Sequence, residues 1–229
     1  MRAFRGIVFG FVVVLASLIS VVPALAQPPS DTSTAPASPA KAAPAHGIGF
    51  GVLGGAGFTT LSGDGAQGTS SGTGPIFGVW FGGNRNGHVG FMGELSYVEK
   101  KITITDSGPD SSLSTKYIEL PALVRINVGS KSLSGVSVYG LVGPVFDFRT
   151  SSTLKFNGVE QPQAQLDNQF SSVDIGILAG GGIEFARFAF EVRGNWGMKQ
   201  LATDEAIASG DLPKTKSTSI QVLGKFRIH

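Results

Sequence analysis

Charged side chains recur on one face of a series of alternating apolar stretches in this sequence. The face collects both signs, with five carboxylates and four cations, while the other face carries almost no charge. Enclosed charges need partners of opposite sign, so this pattern favours ion pairing inside a closed structure. Glu94 and Glu119 are therefore predicted to be salt-bridge partners rather than an acid-base pair. The predicted structural charge network comprises Glu94, Glu119, Arg125, Asp174, Glu184, Glu191, Arg193, Lys225 and Arg227.

Catalysis would require a nucleophile or a water-activating base, which is usually histidine. His46 lies in a proline-rich segment, His88 lies beside a short turn, and His229 is the last residue. None of these positions suits a general base. Asp147 and Asp174, near a long loop, are the candidates for a carboxylate-based hydrolase, but we predict no catalytic residues and no enzymatic activity.

Metal and cofactor sites are not indicated. Asp204, Glu205 and Asp211 share one loop region, but they lack the regular spacing of a calcium-binding loop. The glycine clusters at Gly54 and Gly180 lie inside predicted strands and precede no helix, so they do not form phosphate-binding loops. We predict no metal, no cofactor and no cofactor-binding residues.

The charged residues lie on about eight predicted strands after Gly47. In "SSVDIGILAGGGIEF" (171–185), Ile175 and Ile177 alternate with Asp174, Gly176 and Leu178, which is the period of a β-strand. Alternation alone leaves open which face is wet: a soluble sandwich would bury the isoleucines, and a membrane barrel would turn them toward lipid. The second run, "PIFGVWFGG" (75–83), is apolar on both faces, so its orientation also stays open.

The connections favour the membrane barrel. Short connections near Asn84, Lys131 and Ala186 alternate with long polar ones at 61–74, 105–114, 150–172 and 201–215. Transmembrane barrels have short turns at one rim and long loops at the other. We therefore predict an all-β fold, an antiparallel up-and-down transmembrane β-barrel of about eight strands. A barrel of this size has an interior that side chains can fill.

Aromatic residues near the ends of the runs fit this prediction. Transmembrane barrels carry aromatic girdles at both membrane interfaces. The candidates are Phe58, Phe91, Tyr97, Phe148, Phe185, Phe188, Trp196 and Phe226.

The N-terminus predicts secretion. Arg2 and Arg5 precede an apolar run (7–22) and an Ala-Leu-Ala site before Gln27, the pattern of a cleaved signal peptide over residues 1–26. Residues 27–46 are rich in proline and alanine without large apolar side chains, so we predict a disordered linker. The barrel is predicted over 47–229.

Charge and cysteine content narrow the function further. The formal net charge is +2, and loss of the two signal arginines would leave 16 basic residues against 16 acidic ones, so nucleic acid is not a predicted partner. The chain has no cysteine, which excludes a disulfide framework and the lipid-bearing cysteine of a lipoprotein.

Three motifs resemble the outer-membrane β-barrel family of OmpA-like and PorT-like small barrels of Gram-negative envelopes. They are "YIELPALVRI" (117–126), "VYGLVGPVFDF" (138–148) and "DIGILAGGGIEF" (174–185), in the order strand, hairpin, strand. The resemblance covers roughly 47–229 and implies an outer-membrane barrel inserted by the barrel-assembly machinery. Family members often end on an aromatic residue, whereas this chain ends on His229, three residues after Phe226. The resemblance implies little about activity.

The predicted function is therefore structural or surface-interactive, in the outer membrane of a Gram-negative bacterium and in contact with its lipid. The amides of the loop 150–172, such as Asn157 and Gln161, suit hydrogen bonding to a surface partner, although a merely solvated loop explains them equally well. The alternatives are a narrow porin-like passage for small solutes and a soluble secreted β-barrel binding protein.

Overall fold

The computed structural model describes residues 49–63, 66–83, 87–104, 111–129, 135–161, 169–209 and 214–228. The predicted signal peptide and linker lie outside these ranges, as do His46 and His229. None of the helices in the described part of the chain is long and apolar enough to cross a membrane.

Nine strands and one short helix form within the described residues. The strands are β1 (Gly49–Gly63), β2 (Thr69–Gly82), β3 (Val89–Ile104), β4 (Ser112–Gly129), β5 (Val136–Phe156), β6 (Val159–Glu160), β7 (Val173–Phe185), β8 (Phe188–Gly197) and β9 (Thr215–Arg227), and helix α1 is Asp204–Ala208.

Eight of these strands close into one antiparallel barrel. Their order is β4-β3-β2-β1-β9-β8-β7-β5, and a further pairing of β4 with β5 closes the ring. β6 is an addition to the tip of β5, where Phe156 pairs with Val159. Closure satisfies the backbone groups of every barrel strand, which a sheet crossing lipid requires. The predicted fold class is confirmed.

The two faces of the barrel have opposite character. Ile175, Ile177 and Ile183 are exposed on the outside, whereas Asp174 and Glu184 are buried inside. The outward face is therefore the apolar one, as expected of a barrel surrounded by lipid and not of a soluble one with a closed apolar core.

The pairing of β2 resolves the orientation that its sequence left open. Phe77 is 56% exposed on the outside, while Ile76 and Trp80 are 2% and 5% exposed inside the barrel. An unbroken register with β1, which pairs Ile76 with Gly55, holds this phase, and a register shift against β3 precedes it between Ser71 and Ile76. One extra residue in β2 turns every following side chain to the opposite face.

Several strands extend beyond the predicted boundaries. Leu61–Gly74 was predicted to be a loop, but β1 continues to Gly63 and β2 begins at Thr69. β5 likewise continues to Phe156, into the predicted loop 150–172. These extensions have polar side chains on their outer face, so the apolar alternation ends although the backbone pairing continues, for example between Thr103 and Ser112.

The barrel has two distinct ends. The short-turn end carries the first residue of β1, the last of β9, and connections such as Ala186–Arg187 between β7 and β8. The long-loop end carries the connections 157–172 and 198–214. Aromatic rings contact one another on the outside at two levels: Phe188 lies 5.2 Å from Phe226 at the short-turn end, and Tyr97 stacks on Phe77 at 4.7 Å near the middle of β2 and β3.

Candidate functional site: the charged barrel interior

The interior of the barrel holds a continuous set of buried charges. The nine residues of the predicted network all point inward and are all buried. Lys100 and Asp147 are buried there with them. The set divides into a central group, a group at the short-turn end and a group toward the long-loop end.

The central group is a four-membered ion cluster. Arg193 Nη1 lies 2.7 Å from Glu94 Oε2 and 3.6 Å from Glu191 Oε2. Lys225 Nζ contacts the same two carboxylates, at 2.7 Å from Glu94 and 2.6 Å from Glu191. Two cations therefore alternate with two carboxylates, and Tyr139 donates a hydrogen bond to Glu191 at 2.6 Å. Such reciprocal pairing is what burial of charges requires.

Glu119 joins this cluster mainly through neutral donors. Asn195 Nδ2 donates to Glu119 at 3.0 Å and Gln221 Nε2 donates at 3.1 Å, while Arg193 Nη2 is 3.7 Å away. Gln221 in turn accepts a 2.7 Å hydrogen bond from Arg193 Nε. The amides thus link Glu119 to the central ion cluster.

At the short-turn end, one carboxylate forms ion pairs with two guanidinium groups. Glu184 accepts hydrogen bonds from Arg125 Nη2 and, at 3.0 Å, from Arg227 Nη2. The Arg125 guanidinium also lies over the Tyr139 ring, 3.7 Å from its centroid. Arg125 Nε donates to Asn127 at 2.6 Å, which orients the guanidinium toward Glu184.

Toward the long-loop end, Lys100 Nζ pairs with Asp147 at 2.6 Å. Asp174, the register partner of Asp147, accepts a 3.3 Å hydrogen bond from Ser217. The network predicted from the sequence lacked both Lys100 and Asp147. The alternation in the sequence does place Lys100 inside, because it follows Glu94, Ser96 and Val98 on the same inward face of β3.

A small cavity lies among the buried side chains of the described strands near the short-turn end. The cavity between Trp80, Met92, Tyr139 and Ala189 near the short-turn end has a volume of about 10 Å³. This is roughly the space of one water molecule. The buried charges are packed beside a cluster of buried apolar side chains that includes Leu123, Val145 and Leu178, so the core of the barrel is mixed in character.

The two longest connections meet at the long-loop end. Phe170 and Ala202 form an isolated antiparallel bridge. Ser171 N donates to Leu201 O and Thr203 N donates to Gln169 O, both at 2.8 Å. Arg149 also holds this segment, because its Nη2 donates to Phe170 O at 2.9 Å and its Nε to Ser171 O at 3.1 Å. The loop carrying Gln169 is thus fixed to both β5 and the 198–214 connection.

The residues considered for catalysis or metal binding make the following contacts within the described part of the chain. His88 lies at the short-turn end, where its carbonyl accepts from Asn127 N at 2.7 Å. Asp147 and Asp174 are held by Lys100 and Ser217 as described. Within the described residues, no three His, Cys, Asp or Glu side chains form a group that would hold a metal ion. Asp204 begins α1, whereas Asp211 and the Glu205 side chain lie outside the described set.

Comparison with solved structures finds several outer-membrane and surface proteins. Neisserial surface protein A aligns with 14% identity and a TM-score of 0.47, covering 80% of this chain and 99% of that one. Ail of Yersinia pestis gives 14% and 0.44 with the same coverage. OprG of Pseudomonas aeruginosa gives 14% and 0.40, covering 80% of this chain and 98% of that one.

A protein-family match is the stronger comparison. No curated protein matches the chain. The family described as "Outer membrane protein beta-barrel domain" matches residues 26–202, which is well over half of the sequence. The chain therefore belongs to the outer membrane protein β-barrel domain family.

Proposed function

We propose that the protein is a sealed barrel of a Gram-negative outer membrane that presents its long-loop end at the cell surface, with a structural or surface-interaction role. The observation that carries this proposal is the central ion cluster, in which Glu94 and Arg193 join opposite walls of the barrel. A charge pair across the diameter blocks the path that a solute would take. The role is therefore assigned to the outer surface and the loops.

The surface role is supported by the fixed arrangement of the long-loop end. A recognition surface binds better when its backbone is ordered before contact. The bridge between Phe170 and Ala202 and the two hydrogen bonds from Arg149 provide such order. We further propose that the apolar belt contacts outer-membrane lipid and that the barrel-assembly machinery inserts the chain.

Planar bilayer recordings test the sealed interior. The wild-type protein is expected to give no steady conductance, while folded insertion is verified by a difference in gel mobility between unheated and boiled samples. A reproducible steady conductance would refute the seal and support passage of small solutes instead. Arg193→Ala, which removes the diametric pair, provides the comparison for an opened lumen.

Single-cysteine labelling tests surface presentation. Because the chain lacks cysteine, Val159→Cys on β6 and Ala186→Cys in the short turn each create one reactive site. With a membrane-impermeant maleimide, intact cells should label Val159→Cys, and Ala186→Cys should label only after the outer membrane is permeabilised. The reverse pattern would overturn the proposed orientation.

A further inference from the structure

The cavity near the short-turn end has an unusual charge balance. Its lining includes a single carboxylate, Glu184, but four cationic side chains: Arg125, Arg187, Lys225 and Arg227. Lys225 is balanced by Glu94 and Glu191 in the central ion cluster. Arg125 and Arg227 share the one Glu184 carboxylate, and the exposed Arg187 adds another positive charge. The cavity wall is therefore electropositive.

Two buried N–H groups of the same lining lack an acceptor. They are Trp80 Nε1 and Arg227 Nε, and both residues are more than nine-tenths buried. Indole and guanidinium groups donate hydrogen bonds and cannot accept them. A buried donor without a partner costs about 1–3 kcal/mol, so the cavity favours an occupant that accepts hydrogen bonds.

We infer that this cavity is a binding site for a small monovalent anion of the size of a halide ion. The positive wall attracts the charge, and Arg227 Nε and Trp80 Nε1 are the donors that would hold it. The free space of about 10 Å³ is on the scale of one small particle, such as a water molecule or a halide ion. This inference is independent of the proposed surface role, which concerns the opposite end of the barrel.

Bromide titration with tryptophan fluorescence tests the site. The sequence contains two tryptophans, so the Trp196→Phe variant leaves Trp80 as the reporter. The detergent-solubilised variant is titrated with sodium bromide, with ionic strength held constant by sodium methanesulfonate, whose anion is larger than bromide and does not quench tryptophan. Site binding predicts saturable quenching of Trp80, whereas chance collisions give quenching that grows without saturation.

Matched variants separate site binding from general charge effects. Arg227→Gln in the Trp196→Phe background should weaken bromide binding at least about tenfold, equivalent to about 1.4 kcal/mol. Lys101→Gln, which removes one positive charge from the outward face of β3, should leave binding unchanged. Equal binding in all three proteins, or unsaturable quenching throughout, would overturn the inference and leave a single water as the occupant.

Anomalous diffraction decides the matter where Arg227→Gln fails to fold. Wild-type crystals soaked in bromide should show an anomalous peak between Trp80 Nε1 and Arg227 Nε. Absence of a peak there, with bromide peaks elsewhere on the protein, would refute the site.

Discussion

Arg193 and Glu94 lie 99 residues apart in the sequence, yet their side chains meet at 2.7 Å and are 0% exposed. Arg193 belongs to β8 and Glu94 to β3, which are separated by four steps around the eight-stranded ring in either direction. The pair therefore spans the full diameter of the barrel. Lys225 of β9 reaches the same carboxylate, so three walls are joined at one point.

Removal of the Glu94 charge should destabilise the barrel strongly. Glu94→Gln keeps the side-chain size but leaves Arg193 and Lys225 buried with one carboxylate fewer. Breaking a buried ion pair in this way typically costs about 3–5 kcal/mol. The free energy of unfolding, measured by urea titration in lipid vesicles, should fall by that amount.

The matched control for Glu94→Gln is the pair of exposed Lys101 and half-buried Glu99, 3.3 Å apart on the outer face of the same strand. Lys101→Gln should cost less than about 1 kcal/mol, because solvent screens the pair. Similar losses in both variants would show that burial inside the barrel does not govern the strength of the central cluster.

An arginine on the lipid-facing surface should be costly at mid-strand. Val222 lies outward on β9, opposite Ala56 of β1 and Val192 of β8. Val222→Arg should lower the free energy of unfolding in vesicles by about 2–4 kcal/mol, since a charge near the bilayer midplane loses its hydration. Thr218→Arg, nearer the long-loop end of the same strand, should cost about 0–1 kcal/mol. A soluble barrel would tolerate both substitutions equally.

Alanine substitutions at two adjacent glycines of β1 should have opposite effects on the stability of the barrel. A Cβ atom on Gly55 would lie 2.0 Å from Val222 O and 2.9 Å from Leu223 Cα, whereas one on Gly54 meets only Ile76 O at 3.8 Å. Gly55→Ala should therefore destabilise the barrel by about 1–3 kcal/mol through overpacking. Gly54→Ala should be neutral or stabilising by up to about 1 kcal/mol, because alanine reduces the freedom of the unfolded chain. Urea unfolding of both variants checks this, and equal effects would contradict the close approach of β9 to Gly55.

Loss of the Arg149 side chain should loosen the long-loop end without affecting the barrel. Arg149→Ala removes both hydrogen bonds to the carbonyls of Phe170 and Ser171. Amide hydrogen exchange at Ser171 and Thr203 should then accelerate, because these N–H groups bridge the two connections. Exchange at Val192, in the middle of β8, is the internal control and should not change. Unaltered protection at Ser171 would show that the bridge between the connections holds without Arg149.

Much of this architecture is predictable because the two faces of a barrel wall lie in different environments, one outside the barrel and one in its closed interior. The side chains of Ile175 and Asp174 must face opposite ways on a strand, so the alternation fixes their faces once the loop rhythm indicates a membrane. The same rule places Glu94 and Arg193 inside. The rule weakens where both faces are polar, which explains why the strand extensions at Thr69 and Phe156 were predicted to be loops.

The sequence by itself determined the strand-forming stretches, the inward charges and the apolar outer face, because each depends on residue type and a period of two. Only the tertiary structure decided the phase of β2, which depends on its pairing with β1 and β3. It also decided which charges meet. Arg193 pairs with Glu94 because closure of the ring brings β8 opposite β3. The distance between these two strands depends on the number and order of strands in the barrel rather than on any local pattern.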